Sequence, residues 1–440
     1  MKRTIYSVTI FVALCLVLVA CGPKATTQAP AATQAPGATQ APASDEKVTL
    51  EMWMFKFSDP YMAWMDTAIA EFIQSHPEVE AINVSPKNDD ELQIGLMAAA
   101  ASGDAPDVFI NAIAFGAANV QSGLLHNIYD RWMALPESYR SQWSEETIAG
   151  VTPEPGVMYV LPYSGYGYIL YRNLTVLRAA GIDPSVPVTT LDEWKAQMQK
   201  IKDSGVTAIP NLTLDIRAVR IMYNSFSQEG EWGIDFENNK SLINPDAWAK
   251  NAEFMLSVKP YASVTTFGDQ GINDGFCSDT IAFNIGGPWM NPTYEACKDT
   301  QGLDYDFTVI PGVAADRVSG VSGGEYISIN TLGEHPDLAW EFVTFLNDEA
   351  QQLEASETGQ TSQNAAAMTK STNPVIKTVF ESLTTGSVLF DSPPFFVEAY
   401  PDNYEQTITD NMNAIYEGTM TPQDGAQKLL TDLAELIADR

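Results

Sequence analysis

The chain has 440 residues and a formal net charge of −32, from 24 Lys and Arg against 56 Asp and Glu. Hydrophobic residues make up 45% and charged residues 18%, which describes neither a disordered chain nor a uniformly apolar one. This acidity argues against nucleic acid as a partner and against electrostatic attachment to an anionic membrane, because both need a basic surface. The histidines are far apart, so we expect no His-rich metal site and no cofactor. They are His76, His126 and His335.

The N-terminus has the pattern of an export signal. Lys2 and Arg3 precede an apolar stretch, residues 8–20, that is interrupted only by Thr9. This stretch has the length of a signal-peptide core and is too short for a membrane-spanning helix of ~20 residues. Small residues before Cys21 resemble the bacterial lipobox, in which the cysteine is lipidated. We predict a lipoprotein signal peptide at 1–20 and a lipid anchor on Cys21, the alternative being an ordinary secretory signal with an incidental cysteine.

The segment after Cys21 has the composition of a tether. Residues 22–44 are rich in Ala, Thr, Gln and Pro and contain no aromatic residue. Such a segment buries too little surface to offset its ordering entropy, and its regularly spaced prolines favour an extended geometry. We therefore predict a lipidated cysteine and linker at 21–44 and a folded body that starts near Asp45.

Cys277 and Cys297 are the two cysteines of the folded body. In an exported protein an even pair predicts a disulfide, which would add ~3 kcal/mol of stability for a loop of about twenty residues. A catalytic thiol is the alternative, although no histidine lies nearby in sequence.

The body alternates segments typical of strands and helices. Strand patterns occupy 48–53, 82–84 and 106–110, and helix patterns occupy 60–75 and 89–101. This order predicts parallel strands covered by helices, with ligands at the carboxyl ends of the strands. Later strands are predicted at 169–171, 280–285 and 307–310, and later helices at 175–180, 191–204 and from Pro422 onward.

From about Val48 to the C-terminus, these segments resemble the family 1 extracellular solute-binding proteins of ABC importers, the maltose-binding-protein type. The residues that carry the resemblance are 103–108, 121–125, 161–162, 170–173, 180–182, 285–289 (Ile-Gly-Gly-Pro-Trp), 323–324, 327–330, 339–346, 358–359, 418 and 422–426.

The resemblance implies an α/β, two-lobe periplasmic-binding-protein fold of type II, in which hinge crossings join the lobes. We expect lobe one at 45–163 and 325–370, and lobe two at 164–324 and 371–440. A small solute would bind in the cleft between the lobes, which closes like a hinge. The resemblance also implies a monomeric, non-enzymatic receptor that docks on the permease subunits of an ABC importer. It would be attached to the outer face of the cytoplasmic membrane by its lipid anchor only.

A carbohydrate is the expected ligand class, because sugars need flat aromatic platforms beside amides and carboxylates. The chain has 9 Trp and 17 Tyr, and core packing is the alternative for each of them. The predicted ligand-binding residues come from family positions and strand ends. They are Trp53, Phe55, Asn111, Tyr166, Asp215, Arg217, Trp232, Trp289, Gly323, Gly324, Glu325 and Tyr404, with Tyr400 as an alternative to Tyr404.

Two departures argue against maltose itself. Residues 112–115 lack the acidic and basic pair that maltodextrin-binding relatives have there, and 56–58 lack the expected acidic residue unless Asp59 replaces it. The rival functions are a binding protein of the same fold for a polyamine or another small solute, and an exported glycoside hydrolase with two carboxylates. A serine hydrolase is poorly supported because no Gly-x-Ser-x-Gly motif occurs.

Overall fold

The computed structural model describes residues 47–210, 216–228, 230–262, 269–319, 321–385, 389–390, 400–401 and 403–438. The chain divides after Asp45, and every described residue belongs to the second unit, Glu46–Arg440. The predicted signal peptide, Cys21 and the predicted linker therefore lie outside the described residues.

The second unit mixes strands and helices along its whole length. The strands are β1 Val48–Phe55, β2 Val79–Lys87, β3 Val108–Ala112, β4 Leu161–Gly167, β5 Ile169–Asn173, β6 Ile209–Pro210, β7 Ile234–Asp235, β8 Lys240–Ser241, β9 Ile281–Gly286, β10 Tyr305–Thr308, β11 Ile310–Ala314, β12 Arg317–Ser319, β13 Val321–Ile329 and β14 Leu389–Phe390. The first nine helices are α1 Asp59–Ser75, α2 Asp89–Ser102, α3 Gly116–Gln121, α4 Tyr129–Ala134, α5 Glu137–Arg140, α6 Glu145–Gly150, α7 Leu174–Ala179, α8 Leu191–Ser204 and α9 Ile216–Phe226. The other helices are α10 Pro245–Val258, α11 Asp269–Cys277, α12 Asn291–Gln301, α13 Pro336–Leu346, α14 Glu349–Glu357, α15 Ala365–Lys370, α16 Pro374–Thr385, α17 Tyr404–Tyr416 and α18 Pro422–Ala438.

The first sheet has the strand order β14-β13-β3-β1-β2, and β4 pairs with β13 as well. Strands β1, β2 and β3 are parallel, whereas β13 runs antiparallel to β3 and to β4. Its core is built from alternate residues of β1, such as Met52 and Met54, and from helix residues such as Phe72 and Phe342, all of them fully buried. This is the β-α-β-α-β unit that the sequence predicts.

The second sheet has the order β10-β5-β9-β6. Helix α8 begins with a capping box between Thr190 and Glu193, which fixes its first turn, and buries Trp194 in the core. The same core takes Trp248 from α10 and Leu429 from α18. The second sheet thus has its own hydrophobic core, drawn from the middle and the end of the chain.

A disulfide joins Cys277 at the end of α11 to Cys297 in α12, with the two Cα atoms 5.7 Å apart. This is the pairing that the sequence predicts. Helix α12 begins two residues after Trp289, so the bond ties together the two helices on either side of β9 and the turn that follows it.

Two predicted strands differ from the observed ones. The strand predicted at 307–310 is interrupted at Val309, because Phe307 and Thr308 pair with β5 whereas Ile310 pairs with β12. Strand β2 is longer than predicted and contains Pro86, which is tolerated because β2 lies at the edge of the sheet.

Candidate ligand-binding site

The carboxyl ends of β1 and β3 meet at one edge of the first sheet. Phe55 is only 8% exposed there, and Asn111 is fully buried. Asn111 donates through Nδ2 to Oε1 of Gln93 at 2.7 Å, and its Oδ1 accepts from the main-chain N–H of Ala112 at 2.8 Å. In this arrangement Gln93, which is partly exposed, is the amide at the surface of this edge.

Gln93 also belongs to a longer chain of hydrogen bonds. Its Nε2 donates to Oδ1 of Asn119 at 3.2 Å, and Nδ2 of Asn119 donates to the hydroxyl of Tyr326 at 2.6 Å. Burial raises the pKa of Tyr326 above its ordinary value, so this hydroxyl stays neutral in the folded protein. The chain connects the edge of the sheet with β13.

Trp53 is partly exposed on β1. The Nζ of Lys87 lies 4.6 Å from the centroid of its ring, within range of a cation–π interaction. A Cβ on Gly95 of α2 would lie 3.3 Å from the ring, so the helix packs closely on one face of the indole. Helix α2 and Lys87 thus cover part of the Trp53 ring, and direct ligand contact by Trp53 stays a prediction.

Three segments of the chain run side by side where β4 meets β13. Gly165 of β4 lies opposite Gly324 of β13 in antiparallel register. Residues 361–363 form the third segment: the main-chain N–H of Gly165 donates to the carbonyl of Thr361 at 3.3 Å, and that of Gln363 donates to the carbonyl of Tyr163 at 2.9 Å. We call β4, β13 and residues 361–363 the three-strand crossing.

Glu325 places a partly exposed carboxylate on this crossing, where it accepts a hydrogen bond from the hydroxyl of Ser164. The hydroxyls of Tyr61 and Tyr163 are hydrogen-bonded to each other nearby. Burial is the main reason why the pKa of each tyrosine is raised, and the negative charge of Glu325 adds to the effect. Tyr61, Tyr163 and Ser164 are each 1% exposed, so within this cluster the carboxylate of Glu325 is the group that is partly open to solvent. A carboxylate held in this way suits hydrogen bonding to a hydroxyl-rich or cationic ligand.

The sequence suggested that Gly323 and Gly324 let the backbone approach a ligand. The structure fills the space beside Gly324 differently, because a Cβ there would lie 2.4 Å from Nε2 of Gln363. The glycine at 324 therefore accommodates a side chain of the protein itself.

Trp289 is held by a tight turn after β9. A Cβ on Gly287 would lie 1.9 Å from a carbon of the Trp289 ring, and a Cβ on Gly286 would lie 2.2 Å from Sδ of Met290. The indole, which is partly exposed, meets the ring of Tyr168 edge to face at a centroid distance of 5.7 Å. The Gly-Gly pair is thus explained by the two side chains that fold back over it.

The turn that carries Trp289 also lies close to Gly359, two residues before the third crossing segment. Gly359 has φ +93°, and a Cβ there would lie 3.2 Å from the carbonyl oxygen of Pro288. Gly359 and Gln363 are four residues apart, so at most about 14 Å of chain separates the contact with Pro288 from the contact with Glu325. Trp289 and Glu325 are therefore linked through one short segment.

The other predicted aromatic platforms are covered by protein. Trp232 is 6% exposed and packs against Tyr223 and Arg220, and Tyr404 is 1% exposed and stacks on Tyr400. Tyr400 is partly exposed. Direct ligand contact by Trp232 and Tyr404 stays a prediction; in this arrangement both rings are part of the second core.

Asp215 and the side chains of Tyr166 and Arg217 lie outside the described residues, and the backbone of Tyr166 pairs with Gly323. Of the predicted set, the structure brings Gly323, Gly324 and Glu325 together on the crossing. Sequence reasoning missed Gln93, Tyr61, Tyr163, Ser164 and Gln363. The Leu-Pro pair at 161–162 was a signal for Tyr163 and Ser164, which follow it directly; Gln363 had none.

Within the described ranges, no three or more His, Cys, Asp or Glu residues are grouped to hold a metal ion. No helix in the described part of the chain has both the length and the apolar character needed to cross a bilayer. A cavity of about 400 Å³ is lined by residues such as His76 and Glu341, and none of its lining residues belongs to β4, β13 or residues 361–363.

A family model described as bacterial extracellular solute-binding protein matches residues 67–378. Three solved structures are similar over nearly their whole length. The GacH receptor of Streptomyces glaucescens, solved unliganded and with acarbose, is 18% identical with a TM-score of 0.72, covering 89% of this chain and 98% of its own. The cyclic alpha-maltosyl-1,6-maltose binding protein of Arthrobacter globiformis is 17% identical with a TM-score of 0.73, covering 90% and 100%. The maltotriose binding protein of Thermus thermophilus, bound with maltotriose, is 16% identical with a TM-score of 0.70, covering 89% and 99%. These likenesses confirm the predicted two-lobe α/β fold.

Proposed function

Because this chain belongs to the bacterial extracellular solute-binding proteins, we propose that it binds a sugar or oligosaccharide between its two lobes and delivers it, chemically unchanged, to the permease of an ABC importer. The observation that carries the proposal is that an oriented, partly exposed indole, Trp289, and the partly exposed carboxylate of Glu325 are connected through one short segment, residues 359–363. An apolar sugar face fits the indole, and the sugar hydroxyls fit the carboxylate of Glu325. The three similar proteins are described as binding acarbose, a cyclic maltosyl-maltose and maltotriose, which supports the same ligand class.

We place lobe one at 45–163 and 325–370, and lobe two at 164–324 and 371–440. The buried clusters support this division. One cluster draws on residues from 50 to 163 and from 326 to 355. Two more draw on residues from 168 to 310, on Val375 and Val379, and on residues from 404 to 437. A small fourth cluster of Ala367, Met368 and Ile376 spans the boundary at 370–371. The ligand cleft then lies where the three-strand crossing joins the lobes.

Binding without turnover is the expected activity. The carboxylate of Glu325 accepts a hydrogen bond from Ser164 and stands beside two hydrogen-bonded tyrosines, an arrangement that orients a ligand. We expect the purified protein to leave oligosaccharides intact, and release of shorter sugars during incubation would instead indicate a glycoside hydrolase.

Sugar binding is tested by thermal shift and calorimetry with a panel of maltose, maltotriose, mannobiose and spermidine. A ligand that binds only the folded protein at one hundred times its Kd adds about 2.7 kcal/mol of stability. We expect at least one sugar to raise the melting temperature and spermidine to leave it unchanged. Stabilisation by spermidine alone would overturn the ligand class, and Trp289→Ala is the control for binding at the proposed site.

We further propose that the protein is exported by its N-terminal signal and anchored on the outer face of the cytoplasmic membrane through lipid on Cys21. The apolar stretch, the small residues before Cys21 and the unfoldable composition of 22–44 support this. Cys21→Ser is expected to release the protein from the membrane fraction or block its processing. An unchanged membrane-bound fraction of normally processed protein in that variant would refute the lipid anchor.

A further inference from the structure

The side chain of Gln363 bridges two strands of the crossing. Its Nε2 donates to the main-chain carbonyl of Ser164 at 2.8 Å and to that of Glu325 at 3.1 Å. The main-chain N–H of the same residue donates to the carbonyl of Tyr163 at 2.9 Å. Both amide hydrogens of one side chain are therefore used on two different strands, β4 and β13.

Two glycines, Gly324 and Gly165, show how closely the Gln363 side chain packs against β13 and β4. A Cβ on Gly324 would come within 2.4 Å of Nε2 of Gln363 and 3.0 Å of the carbonyl oxygen of Ser164. A Cβ on Gly165, the residue opposite, would reach Cγ of Gln363 at an ordinary 3.5 Å. Neither glycine has a positive φ. Gly324 is thus needed for the close approach of the amide, whereas Gly165 has room for a methyl group.

The bridged point is also where the predicted ligand-binding carboxylate is held. Ser164, whose carbonyl accepts from Gln363, donates its own hydroxyl to the carboxylate of Glu325. The main-chain carbonyl of Glu325, in turn, accepts a hydrogen bond from Nε2 of Gln363. Any slip between β4 and β13 would move Ser164 away from Glu325 and would change the direction of the carboxylate.

We propose that Gln363 is a positioning residue: its amide keeps β4 and β13 in register and thereby fixes the orientation of the Glu325 carboxylate. The part of this inference that concerns ligand affinity rests on the proposed sugar-binding function, whereas the part that concerns the strands does not. If Gln363 contributed only packing, its effect on the two strands would not depend on a hydrogen-bond donor at Nε2.

The first test measures amide hydrogen exchange of the ligand-free, full-length protein by mass spectrometry. Gln363→Glu keeps the size of the side chain but places a carboxylate oxygen against two carbonyl oxygens, and Gln363→Met keeps the length without a donor. Losing two hydrogen bonds is expected to speed exchange in peptides from β4 and β13 about tenfold or more, while peptides from β1 and β9 stay unchanged. Equal exchange in the crossing strands of wild type and both variants would overturn the proposal, as would a uniform rise in all peptides.

Two matched controls separate the bridge from general damage. Gly324→Ala is expected to reproduce the faster exchange of Gln363→Glu because it displaces the amide, and Gly165→Ala on the neighbouring strand is expected to have little effect. Gln121→Glu makes the same chemical change at an exposed position and is expected to leave exchange unchanged. Faster exchange in Gly165→Ala equal to that in Gly324→Ala would contradict the role of Gln363.

The second test measures affinity with the sugar that binds wild type. Gln363→Glu and Gly324→Ala are expected to raise Kd about tenfold, and Gly165→Ala to leave it near the wild-type value. If no sugar binds wild type, the proposed function fails, and the exchange experiment still decides whether Gln363 holds the strands. If a sugar binds and both Kd values stay at wild type, the positioning of Glu325 is refuted.

Discussion

Gly287→Ala is expected to raise the Kd for the bound sugar at least about tenfold, although the substitution adds a single methyl group. The new Cβ would fall 1.9–2.2 Å from three carbons of the Trp289 ring. Gly287 has φ −90° and ψ 175°, a conformation that alanine adopts without strain, so the backbone need not change. The rigid ring must move instead, and the indole leaves the position from which it can stack on a sugar. Calorimetric titration with the sugar from the panel measures the effect.

Two controls make this prediction specific. Gly150 also lacks a positive φ and has no atom within 4 Å of its built Cβ, so Gly150→Ala is expected to bind as wild type does. Trp289→Ala removes the platform outright and is expected to lose at least as much affinity as Gly287→Ala. Unchanged affinity in Gly287→Ala would mean that Trp289 does not contact the ligand from its present position.

The sequence predicts best those elements whose signals are local. The predicted bounds of α8, residues 191–204, agree with the observed ones to the residue. The structure shows the local reason, because Thr190 and Glu193 form a capping box at its start and Gly205 ends it with φ +77°. Helix α2 was predicted almost as well, since Gly103 closes it with φ +75°. Strand β4 was marked only by its Leu-Pro pair, because its two glycines and its tyrosines give no alternating pattern.

The candidate site depends on contacts that no local pattern contains. Gln363 meets Ser164 across 199 residues of chain, and Asn119 meets Tyr326 across 207. Aromatic composition likewise does not distinguish a platform from a core ring, so Trp232 and Trp289 looked alike in sequence although only Trp289 is partly exposed. The Gly-Gly-Pro-Trp sequence was informative because the missing side chain of Gly287 leaves the space that the indole occupies.

Asp306→Asn is expected to lower the free energy of unfolding by about 3 kcal/mol, the largest effect on stability that we predict for a single polar side chain. Arg172, opposite Asp306 on β5, is 6% exposed. It donates through Nε to Oδ1 of Asp306 at 2.7 Å and through Nη2 to the other carboxylate oxygen. In Asp306→Asn the buried guanidinium of Arg172 no longer faces a negative charge. Among its described contacts, the acceptors that remain are the carbonyl of Pro184 and the side-chain oxygen of the new asparagine. This expected loss lies at the low end of the range for buried ion pairs, because the Asp306 side chain is 38% exposed and water can reach it. Urea unfolding followed by circular dichroism measures the change.

A neighbouring ion pair supplies the matched control. Asp304 pairs with Arg178 just before β10, and both side chains are about half exposed to solvent, at 48% and 53%. Asp304→Asn is therefore expected to cost no more than about 1 kcal/mol, because exposed charges are solvated after the pair is broken. The double variant Arg172→Met, Asp306→Leu is expected to recover most of the lost stability, since it removes the buried charge together with its partner. If Asp306→Asn loses no more unfolding free energy than Asp304→Asn, burial of Arg172 does not make its charged partner essential. If the double variant is as unstable as Asp306→Asn, the ion pair itself contributes net stability, and its role is not limited to neutralising a buried charge.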